Sequence, residues 1–148
     1  WRRSDSMAAE VGLGGEYVIP MERLESFYDE PGEYGWIMEG HKHGFGLTSI
    51  IITQTAPRGG PPLHVHNTEE VHVLPECRLA YVLGDSTFEV EGPCVVNIPA
   101  RVPHTFLNIG PAVARIVCFW PANDFWTNYD ELGPNPLLAR YGAGGQAV

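Results

Sequence analysis

The chain has 148 residues, 44% of them hydrophobic and 18% charged, with a formal net charge of −9. That length suits one globular domain with a real core. The acidic balance argues against nucleic acid or an anionic membrane as a partner. Cys77, Cys94 and Cys118 form an odd set without zinc-ribbon spacing, which reads as free thiols. No apolar run reaches the ~20 residues that span a bilayer, and the opening Trp1-Arg2-Arg3-Ser4 lacks the apolar core of a signal peptide. A soluble cytoplasmic protein is the expectation.

Residues 1–15 are small, polar and glycine-rich and read as a flexible N-terminus. Residues 16–19 form a candidate strand. Pro20 sits where a helix can begin, and residues 21–28 suit two helical turns that Pro31-Gly32 ends. Residues 39–44 carry His41 and His43 between glycines and read as a loop, either solvated or a cap over a barrel mouth. From residue 47 the pattern changes. Residues 47–55 are rich in β-branched side chains and read as a strand, one face carrying Thr48, Ile50, Ile52 and Gln54. Residues 64–74, 78–83, 87–90, 95–98, 104–108 and 112–120 follow as extended stretches punctuated by Pro or Gly. At least seven short strands and no long helix before residue 120 argue for an antiparallel sandwich or barrel. After Trp120 the chain is irregular but aromatic, with Phe125, Trp126 and Tyr129 expected to pack back on the domain, to cover a ligand or to meet a partner copy. A short helix can follow Pro136, and residues 142–148 read as a flexible tail. The single domain is expected over residues 16–141.

The chemistry concentrates in residues 59–108. His64 and His66 share one face of a strand. A His-x-His pair is the simplest way for one strand to give a metal two ligands, and neutral imidazole suits Zn, Fe, Cu, Ni and Mn. Glu70 adds charge compensation, and His104 can close the set from another strand. Such a site leaves a position for water or substrate. If the strand resumes after Asn67-Thr68, Glu70, His72 and Leu74 share a face, while Glu69 points away. His72 is then a further ligand, a substitute for Glu70, an acid/base or a core histidine. Gln54, among Ile50 and Ile52, needs a partner: a metal, its water, the substrate or backbone. Tyr81 alternates with Leu79 and Leu83 and either offers a phenol to a substrate carbonyl or belongs to the core.

This stretch resembles the cupin superfamily. Its first motif, a glycine, a His-x-His pair, a glutamate and a closing glycine, is matched at Gly59 or its neighbour Gly60, His64, His66 and Glu70. Its second is matched at Gly92, Pro99, His104 and Asn108. Cys77 stands in place of the first motif's closing glycine and Arg101 in place of the second's inner glycine, and one extra residue separates Gly92 from Pro99. The resemblance covers about residues 47–120. It implies an all-β double-stranded β-helix, the jelly-roll or cupin barrel, with short N- and C-terminal extensions. It also implies one divalent metal ion at His64, His66, Glu70 and His104, and the position His72 occupies is commonly aromatic in that family.

Fold alone does not fix function. The compact domain, the histidine-rich site and the aromatic tail are similar to the small cupin cyclases of aromatic polyketide biosynthesis. That similarity implies zinc as a Lewis acid and aldol ring closure with dehydration of a poly-β-ketone or partly cyclised substrate. His72, Tyr81 or Gln54 would assist from the cavity wall. A mononuclear iron, copper or nickel dioxygenase of quercetinase type uses the same ligand set. A non-catalytic small-molecule-binding cupin is the third reading. A barrel of this size leaves strand edges to cover, so a homodimer is expected.

Overall fold

A computed structural model describes residues 19–44, 46 and 48–142. In chain order the strands are β1 (Glu25–Asp29), β2 (Glu33–Met38), β3 (Ser49–Thr55), β4 (Val65–His66), β5 (Glu70–Leu74), β6 (Arg78–Leu83), β7 (Ser86–Glu91), β8 (Cys94–Ile98), β9 (His104–Asn108), β10 (Ala114–Trp120) and β11 (Thr127–Asn128), followed by the helix α1 (Leu137–Tyr141). A six-stranded sheet runs β1-β2-β3-β10-β5-β8 and a three-stranded sheet runs β7-β6-β9, while β11 pairs with β4. All these pairings are antiparallel.

Period-2 alternation builds the core. Along β10, Ala114, Ile116, Cys118 and Trp120 are buried and Arg115 and Val117 are exposed. Those four join Leu74, Val96 and Ile98 of the large sheet and Leu79, Tyr81 and Phe106 of the small one in a single apolar cluster. Two sheets closed on one core make the expected jelly-roll barrel. α1 packs Leu137 on Ala80 and Leu107 at the back of the small sheet. This is why β9 is buried at every position.

The motif glycines mark close backbone approaches. A Cβ on Gly60 would lie 2.0 Å from the Phe106 carbonyl oxygen, and one on Gly92 would lie 1.9 Å from that of Pro75. Arg101, where the second motif has glycine, adopts the left-handed region at φ 63.

Several expectations are corrected. Residues 21–28 do not make two helical turns. A 3-10 turn at Met21–Arg23 leads into β1, because Phe27 and Asp29 alternate inward against β2. β2 itself has no counterpart in the sequence reading. Residues 40–43 form a short 3-10 helix closed by Gly44 at φ 79 rather than an open loop. Gln54 is exposed, cross-strand from Tyr34 and Arg115, and the inward face of β3 is Ser49, Ile51, Thr53 and Thr55. Both faces of β3 carry isoleucine, so hydrophobicity could not tell them apart. The expectations for residues up to 18 and for 143–148 fall outside the described residues. Among the described residues, no helix is long and apolar enough to cross a membrane.

Candidate metal centre

His64 and His104 meet first through the backbone. Each amide donates to the other's carbonyl, at 3.0 and 2.9 Å, in an isolated bridge between the two motifs. Their rings lie 4.3 Å apart. His66 follows one pleat later on β4, and Glu70 enters from β5. One donor atom from each of His64, His66, Glu70 and His104 lies within 4.8 Å of all the others, and all four residues are buried. This is a buried His/Glu group that could hold a metal ion.

Hydrogen bonds assign the protons. Nδ1 of His64 faces the Pro62 carbonyl at 2.8 Å, Nδ1 of His104 faces that of Val102 at 2.8 Å, and Nδ1 of His66 faces that of Trp126 at 3.2 Å. A carbonyl only accepts, so each Nδ1 carries its proton and donates it. In the neutral ring Nε2 is then a lone pair. Two of these lone pairs face the same Glu70 oxygen: Nε2 of His104 and of His66 lie 3.0 and 3.3 Å from Oε2. Lone pairs facing a carboxylate repel unless a cation stands among them, so the donor set fits a metal. Burial, with His104 and His66 next to it, pushes the His64 imidazole down to about 3, which keeps it neutral.

His72 is arranged the other way. Its Nε2 donates to Glu70 Oε1 at 2.8 Å and its Nδ1 accepts from the Tyr81 hydroxyl at 2.9 Å. His72 thus braces Glu70 on the same inner face and lies outside the four-donor group, although with Glu70 and Cys118 it forms a second, overlapping group that could hold a metal ion. Tyr81 points inward as expected, but its hydroxyl is engaged by His72 and it does not line the cavity. Burial would raise the Glu70 carboxyl; His72, which donates to it, and His104 and His66 in their protonated forms outweigh burial and hold the group well below the usual range.

Three of the four donors, His64, His66 and Glu70, line a cavity of about 200 Å³, and His72 lines it with them. Its apolar walls are Phe27, Ile37, Ile51, Phe106, Trp120 and Phe125. Tyr129, 44% exposed, stands at the rim. Gly35 makes room for one wall, since a Cβ there would meet the Phe27 ring at 2.4 Å. Of the aromatic tail, Phe125 packs back, stacking on Trp120 at 4.2 Å, while Trp126 is exposed; β11 sets Thr127 against His66 Nδ1 at 3.1 Å. Gln54 does not reach this cavity, and neither His41 nor His43 lines it. His41 bonds the Asn123 carbonyl at the surface, at 2.8 Å. Asn108 of the second motif is a tie, donating to the Thr55 and Ala112 carbonyls at 3.0 and 2.8 Å.

The sequence reading missed Asp29, Glu33 and Thr127. Glu33 is buried within the cavity wall, and Asp29 is its cross-strand neighbour.

Residues 51–120 match the cupin domain model. No curated protein matches the chain in sequence. Among solved structures the chain is similar to an oxalate decarboxylase of Lactobacillus farciminis, at 22% identity and a TM-score of 0.66, covering 73% of this chain and 34% of that one. It is similar to the polyketide cyclase RemF of Streptomyces resistomycificus, at 17% identity and a TM-score of 0.64, covering 84% of this chain and 92% of that one. It is also similar to the Bacillus subtilis oxalate decarboxylase studied for its Mn(II) centres, at 17% identity and a TM-score of 0.65, covering 73% of this chain and 30% of that one. The chain therefore spans about a third of the length of these decarboxylases. Motifs, barrel and the match over residues 51–120 agree on the cupin fold.

Proposed function

We propose that the chain is a metal-dependent cupin enzyme acting on a small aromatic or poly-β-ketone substrate, as a polyketide cyclase. The observation that carries this is the convergence of three imidazoles and one carboxylate beside an aromatic-walled cavity. The likeness to RemF over most of both chains supports the cyclase reading. His64, His66, Glu70 and His104 would hold one divalent ion, zinc in this reading. Bound there, it supplies Lewis acidity toward a substrate carbonyl without redox chemistry. His72 and Tyr81 act behind them, fixing the Glu70 carboxylate. Phe27, Trp120 and Phe125 give the cavity an aromatic lining from which an apolar substrate displaces water. At about 200 Å³ the cavity takes a small substrate or the reacting end of a longer one, below the ~300–1,000 Å³ of many ligand pockets.

A homodimer belongs to the same reading. Trp36, Ile52, Val117, Val73 and Val95 are successive cross-strand neighbours on the outer face of the large sheet, which supports a covered surface there. One preparation, purified without added metal, tests both points. Near-stoichiometric zinc, no oxygen consumption and a light-scattering mass near twice 16.3 kDa are expected. Iron or copper with oxygen uptake on a flavonol would replace the cyclase by a quercetinase-type dioxygenase. Absence of any retained metal would end the metal-enzyme reading, and a monomer mass would end the dimer.

A further inference from the structure

The N-terminal hairpin brings a second reactive group to the cavity. Asp29 on β1 and Glu33 on β2 are partners in register, and Glu33 is in turn the partner of Thr55 on β3. Side chains of cross-strand partners stand on the same face of the sheet, here the inner one, and both carboxyls line the cavity. Glu33 is 3% exposed. Among the described residues no lysine or arginine lines this cavity. Tyr129 joins the pair to the histidines: its ring lies 5.6 Å from that of His64, and its hydroxyl lies 3.5 Å from Asp29 Oδ2. The acid pair therefore sits within one tyrosine side chain of the metal-ligating wall.

We propose that Asp29 and Glu33 are an acid–base pair that enolises a carbonyl substrate in this cavity. The Asp29 carboxylate takes the α-proton, the C–H electron pair becomes the C=C bond, and the carbonyl oxygen receives the Glu33 proton. The reverse step restores both groups: Asp29 returns a proton to carbon and Glu33 recovers the one on the enol oxygen. Two carboxyls so placed hold one proton between them. Burial first, then Asp29 and Glu70, push Glu33 up to about 8, with Thr55 opposing. Burial also raises Asp29, against the Tyr129 hydrogen bond. The titratable groups around the pair are thus Glu70, Tyr129 and, from β10, Cys118. The inference rests on the proposed function only in taking a carbonyl compound as substrate, the enol being the nucleophile that an aldol closure needs.

The test is deuterium exchange at the benzylic α-position of 2-tetralone, a two-ring ketone, followed by NMR in heavy water with the full chain and the metal it retains. The wild type should exceed buffer. Glu33→Gln and Asp29→Asn should each lower the rate by about 100-fold, the usual size of a general acid–base contribution, with metal content unchanged. The wild-type rate should fall as pH rises through about 8, and Glu33→Gln should lack that limb. A second reading is stability. The folded state holds a proton that the unfolded glutamate releases near 4.5, so the Glu33 contribution to stability is full below 4.5 and is lost as pH rises toward 8 in the wild type, a decline absent from Glu33→Gln. Equal exchange in wild type and Glu33→Gln, or no wild-type exchange above buffer, overturns the proposal. If Glu33→Gln does not fold, full exchange in Asp29→Asn overturns it instead. Metal content and oxygen uptake on the same samples judge the cyclase reading separately, since a redox metal with oxygen uptake ends that reading and leaves the exchange result standing.

Discussion

Glu70 and Glu33 line the same cavity, and each is 3% exposed. Burial is the first influence on both carboxyls and raises both. Yet Glu70 ends well below the usual carboxylate range and Glu33 is pushed up to about 8. Desolvation therefore does not decide their roles; neighbours do. Glu70 is ringed by His66, His72 and His104, whose nitrogens lie 2.8 to 3.3 Å from its oxygens. Glu33 has Asp29 beside it and only the Thr55 hydroxyl to favour its charge. One part of the cavity lining thus favours a carboxylate, and another part of the same sheet favours a carboxylic acid. Two acids whose environments drive them apart are how one cavity holds both functions at one pH.

Removing the imidazoles is the most damaging way to break this contrast. In the double variant His64→Ala with His104→Ala, two of the four donors disappear, and Glu70 loses its 3.0 Å contact with His104. Metal retention should be abolished, and the melting temperature should fall by whatever ion binding contributes to the folded state. Metal analysis and thermal unfolding with and without chelator check both. A variant that still carries one equivalent would place the ion elsewhere.

The two walls also differ in how readable they were. His64, His66, Glu70 and His104 were legible because alternation along a strand is rigid and the two motifs fix their own turns: Gly60 and Gly92 sit where a Cβ would collide with backbone. The strands at 78–83 and 104–108 coincide with β6 and β9 for the same reason. The Asp29 and Glu33 wall was hidden because Glu25–Asp29 reads equally as a helical turn, and only pairing with β2 makes it a strand. Gln54 was misplaced because apolar residues occupy both faces of β3, one facing the core and one the outer surface. Which side is inner depends on β2 and β10, which are distant in sequence.

His72→Phe sharpens the contrast more gently. Phenylalanine keeps ring volume at a 2% exposed position but removes the Nε2–H that holds Glu70 Oε1 and the acceptor for the Tyr81 hydroxyl. The four direct donors remain. Metal affinity should drop by about 10–100-fold, as for other groups that orient a ligand from behind, while the protein still binds the ion at saturating concentration. Titration with zinc against a competing chelator measures this. Unchanged affinity would reduce His72 to a packing residue. Complete loss of binding would make it a ligand in its own right, through the overlapping group it forms with Glu70 and Cys118.

Arg101→Gly should have the smallest effect and the opposite sign. Arg101 sits at φ 63 in the turn before His104, and its amide donates to the His66 carbonyl at 2.9 Å. A non-glycine residue in this region is strained by ~1–2 kcal/mol, while glycine adds about 0.5–1 kcal/mol of unfolded-state entropy. The side chain is exposed, and glycine keeps the backbone bond that supports the histidine wall. The balance predicts a stabilisation of up to ~1.5 kcal/mol, a rise of a few degrees in melting temperature for a chain of this size, with metal content unchanged. A fall in melting temperature would show that the Arg101 side chain contributes more than the strain removes. A fall in metal content would show that the turn's conformation, and not only its hydrogen bond, positions His66 and His104.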